Sequence, residues 1–144
     1  MHKILIPLDG TPQAMSAVHH VLTLVGAGLK ARCVLINVQE SASLYEVVTA
    51  HDPAVLQRVA QEAGRDQIKP AQQLLSAAGV PHEHEVVLMG DVAQALRDAA
   101  ERHDVQSIVM GAGASGLAKR VLGSVTLDLV QWAPVPVTVV READ

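Results

Sequence analysis

Five short apolar segments, separated by longer stretches with helical periodicity, are the feature that most constrains the fold. Segments that are apolar on both faces are typical of strands in a parallel sheet covered by helices. The predicted strands are Ile4–Leu8, Cys33–Val38, His82–Leu88, Ser107–Met110 and Val137–Val140. A strand–helix unit repeated four times, followed by a last strand, predicts an α/β fold: a doubly wound parallel sheet with right-handed crossovers.

Capping residues mark where the helices begin. Thr11-Pro12 and Asp52-Pro53 each place an N-cap residue before a proline at the first helical position. Asp91 is the predicted cap of the third helix, and Ser124 opens the fourth. These positions predict four helices, one after each of the first four strands.

Glycine and proline mark where the helices end. Gly26 ends the first helix, Gly79 stops the second, and the fourth stops before Pro134. Pro70 lies inside the second helix and removes a backbone donor. We therefore expect a kink or a break at Pro70.

Length and composition limit the class of protein. The 144 residues are enough for one domain, so residues 1–144 are interpreted as a single domain. Hydrophobic residues make up 49% of the chain and Phe is absent, so we expect an aliphatic core. The net charge of −4 and the single Trp and single Tyr argue against nucleic-acid binding, which needs basic charge or aromatic stacking.

Cysteine usage and hydropathy suggest a compartment. Cys33 is the only cysteine, which excludes a disulfide framework and a cysteine-rich zinc site. The N-terminal apolar run Ile4–Leu8 is too short for a signal segment or a membrane span. We therefore expect a cytoplasmic protein that does not bind membranes.

A glycine-rich segment follows the fourth strand and contains Gly111, Gly113 and Gly116. Their spacing formally matches the dinucleotide-binding fingerprint, but that fingerprint belongs after the first strand and opens directly into a helix. Glycines let backbone N–H groups approach an anion, and Ser124 lies at a predicted helix N-terminus, where the helix dipole favours phosphate. The segment predicts an anion site, with a flexible turn and a capping serine as the alternative.

A second candidate, Asp9-Gly10-Thr11, follows the first strand. In a doubly wound sheet, ligands bind beyond the carboxyl ends of the strands at the topological switch point. The Asp9 carboxylate could accept hydrogen bonds from a base or a ribose. Alternatively, Asp9 satisfies its own loop and Thr11 only caps the helix. Taken alone, this segment favours the second interpretation.

Two further features carry weaker hypotheses. The stretch from Gln39 to His51 is long enough for a binding loop, although a surface connection is the simpler interpretation. His82 and His84 share one face of a strand and could hold a metal, but no further ligands are evident. A solvent-facing histidine pair is the favoured interpretation, and we predict neither a metal site nor catalytic residues.

Several segments together suggest a family. They are Lys3–Thr11, Val38, Met89–Asp91, Ser107–Gly111, Gly113–Thr126 and Ala133–Arg141. With them the chain resembles the universal stress protein family over essentially its whole length. The resemblance implies a five-stranded parallel sheet in the order 3-2-1-4-5, with helices on both faces. Strands one and four are then neighbours, and the two candidate segments meet at the switch point.

The chain is more similar to the ATP-binding branch of that family, whose motif is Gly-x-x-Gly, nine residues, then Gly-Ser or Gly-Thr. Gly113 and Gly123 have nine residues between them, and Ser124 follows. Gly111 and Gly113 are separated by one residue where the branch has two. This departure predicts a narrowed pocket or a shifted loop.

The resemblance implies a site for ATP, with or without magnesium. Pro7, Asp9 and Val38 would line the adenine and ribose pocket, and Met110 and Gly111 would lie under the nucleotide. The implied nucleotide-binding residues are Pro7, Asp9, Thr11, Val38, Met110, Gly111, Gly113, Gly123, Ser124, Val125 and Thr126.

The resemblance also implies a role and a partner. The expected function is a nucleotide-binding protein of the stress response that is regulatory and hydrolyses ATP slowly at best. The expected partner is a second copy, paired through the apolar edge strand Val137–Val140. The alternative is a dimeric interaction module of the same fold that binds no nucleotide.

Overall fold

The computed structural model describes residues 1–40, 52–112 and 122–142, and shows five strands joined by four helices. The strands are β1 His2–Pro7, β2 Ala31–Gln39, β3 His82–Leu88, β4 Ser107–Gly111 and β5 Val137–Val140. The helices are α1 Pro12–Gly26, α2 Pro53–Ala77, α3 Val92–Arg102 and α4 Ser124–Trp132. All five predicted strands are present, and each end lies within two residues of its predicted position.

The strands form one parallel sheet in the order β3-β2-β1-β4-β5, which confirms the predicted topology. The chain moves outward from β1 through β2 to β3, then crosses to the other side of β1 to form β4. The switch point therefore lies between β1 and β4, which pair directly through Ile4 with Ser107 and Leu5 with Ile108. A ligand site is expected at the carboxyl ends of these two strands.

The sheet separates two aliphatic cores, because successive side chains of a strand point to opposite faces. Ile4 and Ile6 of β1 face α1 and α2 and pack with Val18 and Leu75. Leu5, between them, faces the opposite core under α3 and α4. Cys33 lies in the first core, where burial raises the pKa of its thiol to about 11. Both faces of the sheet are therefore covered, as predicted.

The three predicted N-caps are confirmed. Thr11 Oγ1 accepts from Ala14 N–H at 3.2 Å, and the side chains of Asp52 and Asp91 accept in the same way at the starts of α2 and α3. Ser124 opens α4, as predicted, but it is not the cap of that helix. Gly123 is the N-cap of α4, and Ser124 is the first helical residue, so its hydroxyl does not cap the helix.

Of the kink or break expected at Pro70, the break does not occur, since α2 runs without interruption from Pro53 to Ala77. Pro70 is exposed, whereas Ile68, Ala71 and Leu75 around it are buried. Burial of that apolar face offsets the single backbone hydrogen bond that proline removes. Across the described ranges, no helix is long and apolar enough to span a membrane.

Candidate functional site

The turn after β1 presents a carboxylate at the switch point. Asp9 is exposed, and its Oδ1 accepts from Thr11 N–H at 3.0 Å and from the Thr11 hydroxyl at 2.5 Å. Thr11 in turn caps α1, so the carboxylate is tied to the first turn of that helix. This arrangement fixes the orientation of the carboxylate while Asp9 remains open to solvent. Asp9 can therefore accept hydrogen bonds from a ligand.

The backbone of β2 extends past the end of β1. Met89 N–H donates to Gln39 C=O, so odd-numbered residues of β2 direct their backbone groups toward β3. Leu8 N–H donates to Ile36 C=O, so even-numbered residues direct theirs toward β1. By this alternation, the N–H and C=O of Val38 point toward the β1 side of the strand. Val38 lies beyond Pro7 and Ile36, the last pair between β1 and β2. The two Val38 groups form a donor and acceptor pair of the kind that can read the edge of a base.

The end of β4 lies against the first turn of α1. Met110 is buried in the core under α3 and α4, with 6% of its surface exposed. A Cβ placed on Gly111 would overlap the backbone carbonyl of Gln13 and come within 3.1 Å of Ala14 N. Gly111 therefore lets β4 approach α1 closely, a packing role that the sequence analysis did not predict.

The start of α4 supplies backbone donors. Gly123 has φ −67° and ψ 164°, and the helix has no side-chain cap there. A glycine N-cap contributes no acceptor for the first N–H groups of the helix, those of Ser124, Val125 and Thr126. Ser124 is exposed, whereas Thr126 is 1% exposed. An anion is stabilised at such a terminus by the backbone N–H groups and the helix dipole.

The structure brings most of the predicted residues to the side of the sheet where the carboxyl ends of the strands lie. Pro7 ends β1, Val38 lies near the end of β2, Met110 and Gly111 end β4, and α4 begins after Gly123. Gly113 lies outside the described residues, as do positions 114–121 of the glycine-rich segment. Positions 41–51 of the predicted long loop also lie outside them.

A group of polar side chains beside the Asp9 turn, one buried and two half-buried, was not predicted. Asn37 is fully buried in β2, and its Nδ2 donates to Leu8 C=O at 2.8 Å and to Gln67 Oε1 at 2.5 Å. Gln39 Nε2 donates to Asn37 Oδ1 at 2.7 Å. The available signal was an asparagine that directly follows the aliphatic residues Val34, Leu35 and Ile36.

The histidine pair of β3 makes separate contacts. His82 Nδ1 lies 3.0 Å from Val80 C=O, and His84 Nδ1 lies 3.1 Å from Gln72 Nε2. His84 is exposed and His82 is half-buried. Within the residues that the structure describes, no three His, Cys, Asp or Glu side chains are grouped as metal ligands.

A family model and two related sequences all indicate the same protein family. A model of the universal stress protein family matches residues 1–141. A universal stress protein of Methanothermobacter thermautotrophicus is 28% identical over 141 residues, which cover 96% of this chain and 94% of that protein. One from Methanocaldococcus jannaschii is 27% identical over 141 residues, covering 97% of this chain and 82% of that protein.

Solved structures share the fold. A universal stress protein family member from Burkholderia pseudomallei is 29% identical with a TM-score of 0.73, over 96% of this chain and 94% of that chain. A family member from Arabidopsis thaliana with AMP bound has a TM-score of 0.69 at 15% identity, over 99% and 93% of the two chains. A universal stress protein in complex with cAMP has a TM-score of 0.66 at 20% identity, over 97% and 96%. The family model, the relatives and the shared fold together show that the chain belongs to the universal stress protein family.

Proposed function

We propose that this protein binds ATP at the carboxyl ends of β1 and β4 and acts as a nucleotide-dependent regulator in the stress response. The observation that carries the proposal is the Asp9 carboxylate, which is held at the switch point by Thr11 and remains open to solvent. A ribose offers two hydroxyl donors to such a carboxylate. Asp9 would therefore bind the nucleoside end.

The surrounding groups fit the rest of an adenine nucleotide. The Val38 N–H and C=O, which point past the end of β1, match the donor and acceptor on the adenine edge. The uncapped start of α4 suits the phosphates, because backbone N–H groups and the helix dipole favour negative charge. The AMP and cAMP bound in two proteins of this fold support an adenine nucleotide as the ligand class.

The proposed function is to bind ATP and to hydrolyse it slowly at best. Fast phosphoryl transfer needs a placed metal ion, cationic stabilisation and an oriented nucleophile. Among the described residues of the site, Asp9 is the acidic side chain that could orient a metal ion or a water molecule. One of its oxygens, Oδ1, already accepts two hydrogen bonds from Thr11. Its geometry favours ligand binding over activation of water.

Calorimetric titration of ATP, ADP and adenosine, with and without magnesium, tests the proposal. We expect micromolar to millimolar affinity, with ATP tighter than adenosine because only ATP reaches the start of α4. Weaker binding of ATP and adenosine alike in Asp9→Ala would support the nucleoside assignment. Wild-type protein that binds no ATP at millimolar concentration would overturn the proposal in favour of the interaction module.

The proposed partner is a second copy of the chain, paired through β5. This strand is at the edge of the sheet, and Val137, Val139 and Val140 are only half-buried. On α4, which packs beside β5, Leu127 is 48% and Val130 is 53% exposed. An open apolar edge of this kind favours pairing with another strand.

A further inference from the structure

Asn37 is a fully buried carboxamide in β2, directly after the aliphatic residues Val34, Leu35 and Ile36. Burying an amide is unfavourable unless its hydrogen bonds are replaced. The Asn37 Nδ2 group donates to Leu8 C=O at 2.8 Å, and Leu8 directly precedes Asp9. The buried amide is therefore used to hold the backbone at the point where β1 becomes the Asp9 turn.

Two glutamines complete this group, and we refer to Asn37, Gln39 and Gln67 as the carboxamide cluster. Gln67 Oε1 accepts from Asn37 Nδ2 at 2.5 Å and from Gln39 Nε2 at 3.3 Å. Gln39 Nε2 also donates to Asn37 Oδ1 at 2.7 Å. Within the cluster, Gln67 therefore only accepts hydrogen bonds, and both reach the same atom, Oε1.

The cluster also supports the turn one residue beyond Asp9. Gly10 has φ +84°, a conformation that favours glycine, and a Cβ built on it would lie 3.0 Å from Gln67 Cγ. The turn therefore has a neighbour on each side of Asp9: Asn37 donates to the Leu8 carbonyl, and the Gln67 side chain lies close to Gly10. These contacts restrict the directions available to the Asp9 carboxylate.

We propose that Asn37 and Gln67 are positioning residues, which hold the Asp9 turn in the geometry that binds the nucleoside. The inference rests on the proposed function, and it assigns neither residue a contact with the ligand. A ligand acceptor that is already oriented loses less conformational entropy on binding. Loosening the turn should therefore weaken the nucleoside contacts and leave the phosphate contacts at α4 unchanged.

Four single variants separate positioning from simple stability. Asn37→Leu removes both donors at similar volume, and Gln67→Met removes the acceptor from a half-buried side chain. Gln67→Glu keeps an oxygen acceptor at the same place and is the conservative rescue. The matched control is Gln72→Met, a half-buried glutamine of the same helix whose partner is His84.

The readout is the dissociation constant of adenosine and of ATP by calorimetry, on variants shown to be folded by circular dichroism. We expect Asn37→Leu and Gln67→Met to weaken both ligands by a similar factor of about fivefold, the size of one ordinary hydrogen bond. The ratio of ATP to adenosine affinity should not change. Gln67→Glu should bind adenosine as the wild type does, and Gln72→Met should bind both ligands unchanged.

A double variant identifies the route of the effect. If Gln67 acts through Asp9, then Gln67→Met added to Asp9→Ala should cause no further loss of adenosine affinity. Additive losses, or equal losses in Gln72→Met, would overturn the positioning role. Unchanged adenosine binding in Gln67→Met would also overturn it while leaving the proposed function intact, whereas a wild type that binds no adenosine would contradict the proposed nucleoside site itself.

Discussion

Gly111 at the end of β4 lies so close to Gln13 in the first turn of α1 that a Cβ on the glycine would overlap the Gln13 carbonyl. The contact joins two segments that are about a hundred residues apart in the chain. It also brings the end of β4 beside the helix whose cap, Thr11, holds Asp9. The geometry of the switch point therefore depends on the absence of a side chain at position 111.

The first prediction is that Gly111→Ala is destabilising. The overlapped atoms belong to the backbone of α1, so either β4 or the helix has to shift. We expect a loss of about 1–3 kcal/mol in the free energy of unfolding, the usual range for an overpacked site. Urea titration followed by circular dichroism measures it.

Gly26→Ala is the matched control for Gly111→Ala. Gly26 is the last residue of α1, and a Cβ there would meet no atom within 4 Å. Alanine should leave the stability unchanged or raise it by up to about 1 kcal/mol, because it is the better helix former. If Gly111→Ala is as stable as wild type while Gly26→Ala behaves as expected, the close approach at Gln13 does not limit the packing.

The fold followed from local patterns in the sequence. Short segments that are apolar on both faces of a strand predicted a parallel sheet. Capping pairs such as Asp52-Pro53 located the helix starts. The start of α4 at Ser124 was predicted correctly, but its cap was not, because glycine and serine are both good N-caps and stand next to each other at Gly123 and Ser124. A break at Pro70 does not occur because the burial of Ile68 and Ala71, which keeps α2 whole, is a tertiary effect.

The candidate site was only partly predictable. Asp9 and the start of α4 each have a recognisable local signal. The support of the Asp9 turn does not, because Asn37 and Leu8 are 29 residues apart and their hydrogen bond depends on how β1 and β2 align. The packing of Gly111 on Gln13 likewise requires the three-dimensional arrangement of β4 and α1.

The second prediction tests the phosphate end of the site with Gly123→Val. The backbone of Gly123, at φ −67° and ψ 164°, is extended and allowed for any residue, so valine introduces no backbone strain. Its side chain would stand over the first N–H groups of α4. We expect ATP affinity to fall about tenfold or more, toward that of adenosine, while adenosine binding stays unchanged.

Ser124→Ala accompanies Gly123→Val as the milder variant. Because Ser124 is the first helical residue and not the cap, its loss should leave the stability nearly unchanged. ATP affinity should fall by at most the contribution of one hydroxyl hydrogen bond, about fivefold. Binding of ATP that is unaffected by Gly123→Val would place the phosphates away from α4.

The third prediction concerns the edge strand. Ile108 N–H donates to Pro136 C=O, and Ala112 N–H donates to Val140 C=O. The backbone N–H and C=O groups of even-numbered residues in β5 therefore point toward β4. The backbone of Val139 therefore faces outward, where a partner strand would pair. Light scattering at micromolar concentration should give twice the 15.2 kDa chain mass for wild type and 15.2 kDa for Val139→Pro.

Thr138→Pro provides the contrast with Val139→Pro. The N–H of Thr138 faces β4, so proline there should weaken the sheet itself and lower the thermal midpoint more than Val139→Pro does. A wild type of 15.2 kDa would contradict the pairing of two copies. A folded Val139→Pro that stays dimeric would instead move the interface away from β5.

The fourth prediction concerns the pH dependence of stability at the end of α3. Glu85 of β3 accepts hydrogen bonds from Arg102 and from His103, whose Nε2 lies 3.0 Å from Glu85 Oε1. Partial burial alone would raise the pKa of Glu85, but these hydrogen bonds outweigh it and hold the pKa below its usual value of 4.5. The neighbouring Glu83 pairs with Lys3 at 3.4 Å and with His103 at 3.5 Å.

A carboxyl whose pKa is lowered by folding adds stability above its unfolded pKa and loses that stability as the pH falls through the lower folded pKa. Glu85→Gln should therefore cost up to about 1 kcal/mol at neutral pH, as expected of a partly exposed ion pair. The difference from wild type should shrink as the pH falls below about 4.5. Urea unfolding between pH 7 and pH 3 measures this, with the exposed Glu62→Gln of α2 as control. A difference that is equal at all pH values would show that the Glu85 charge does not contribute, and that packing alone explains the loss.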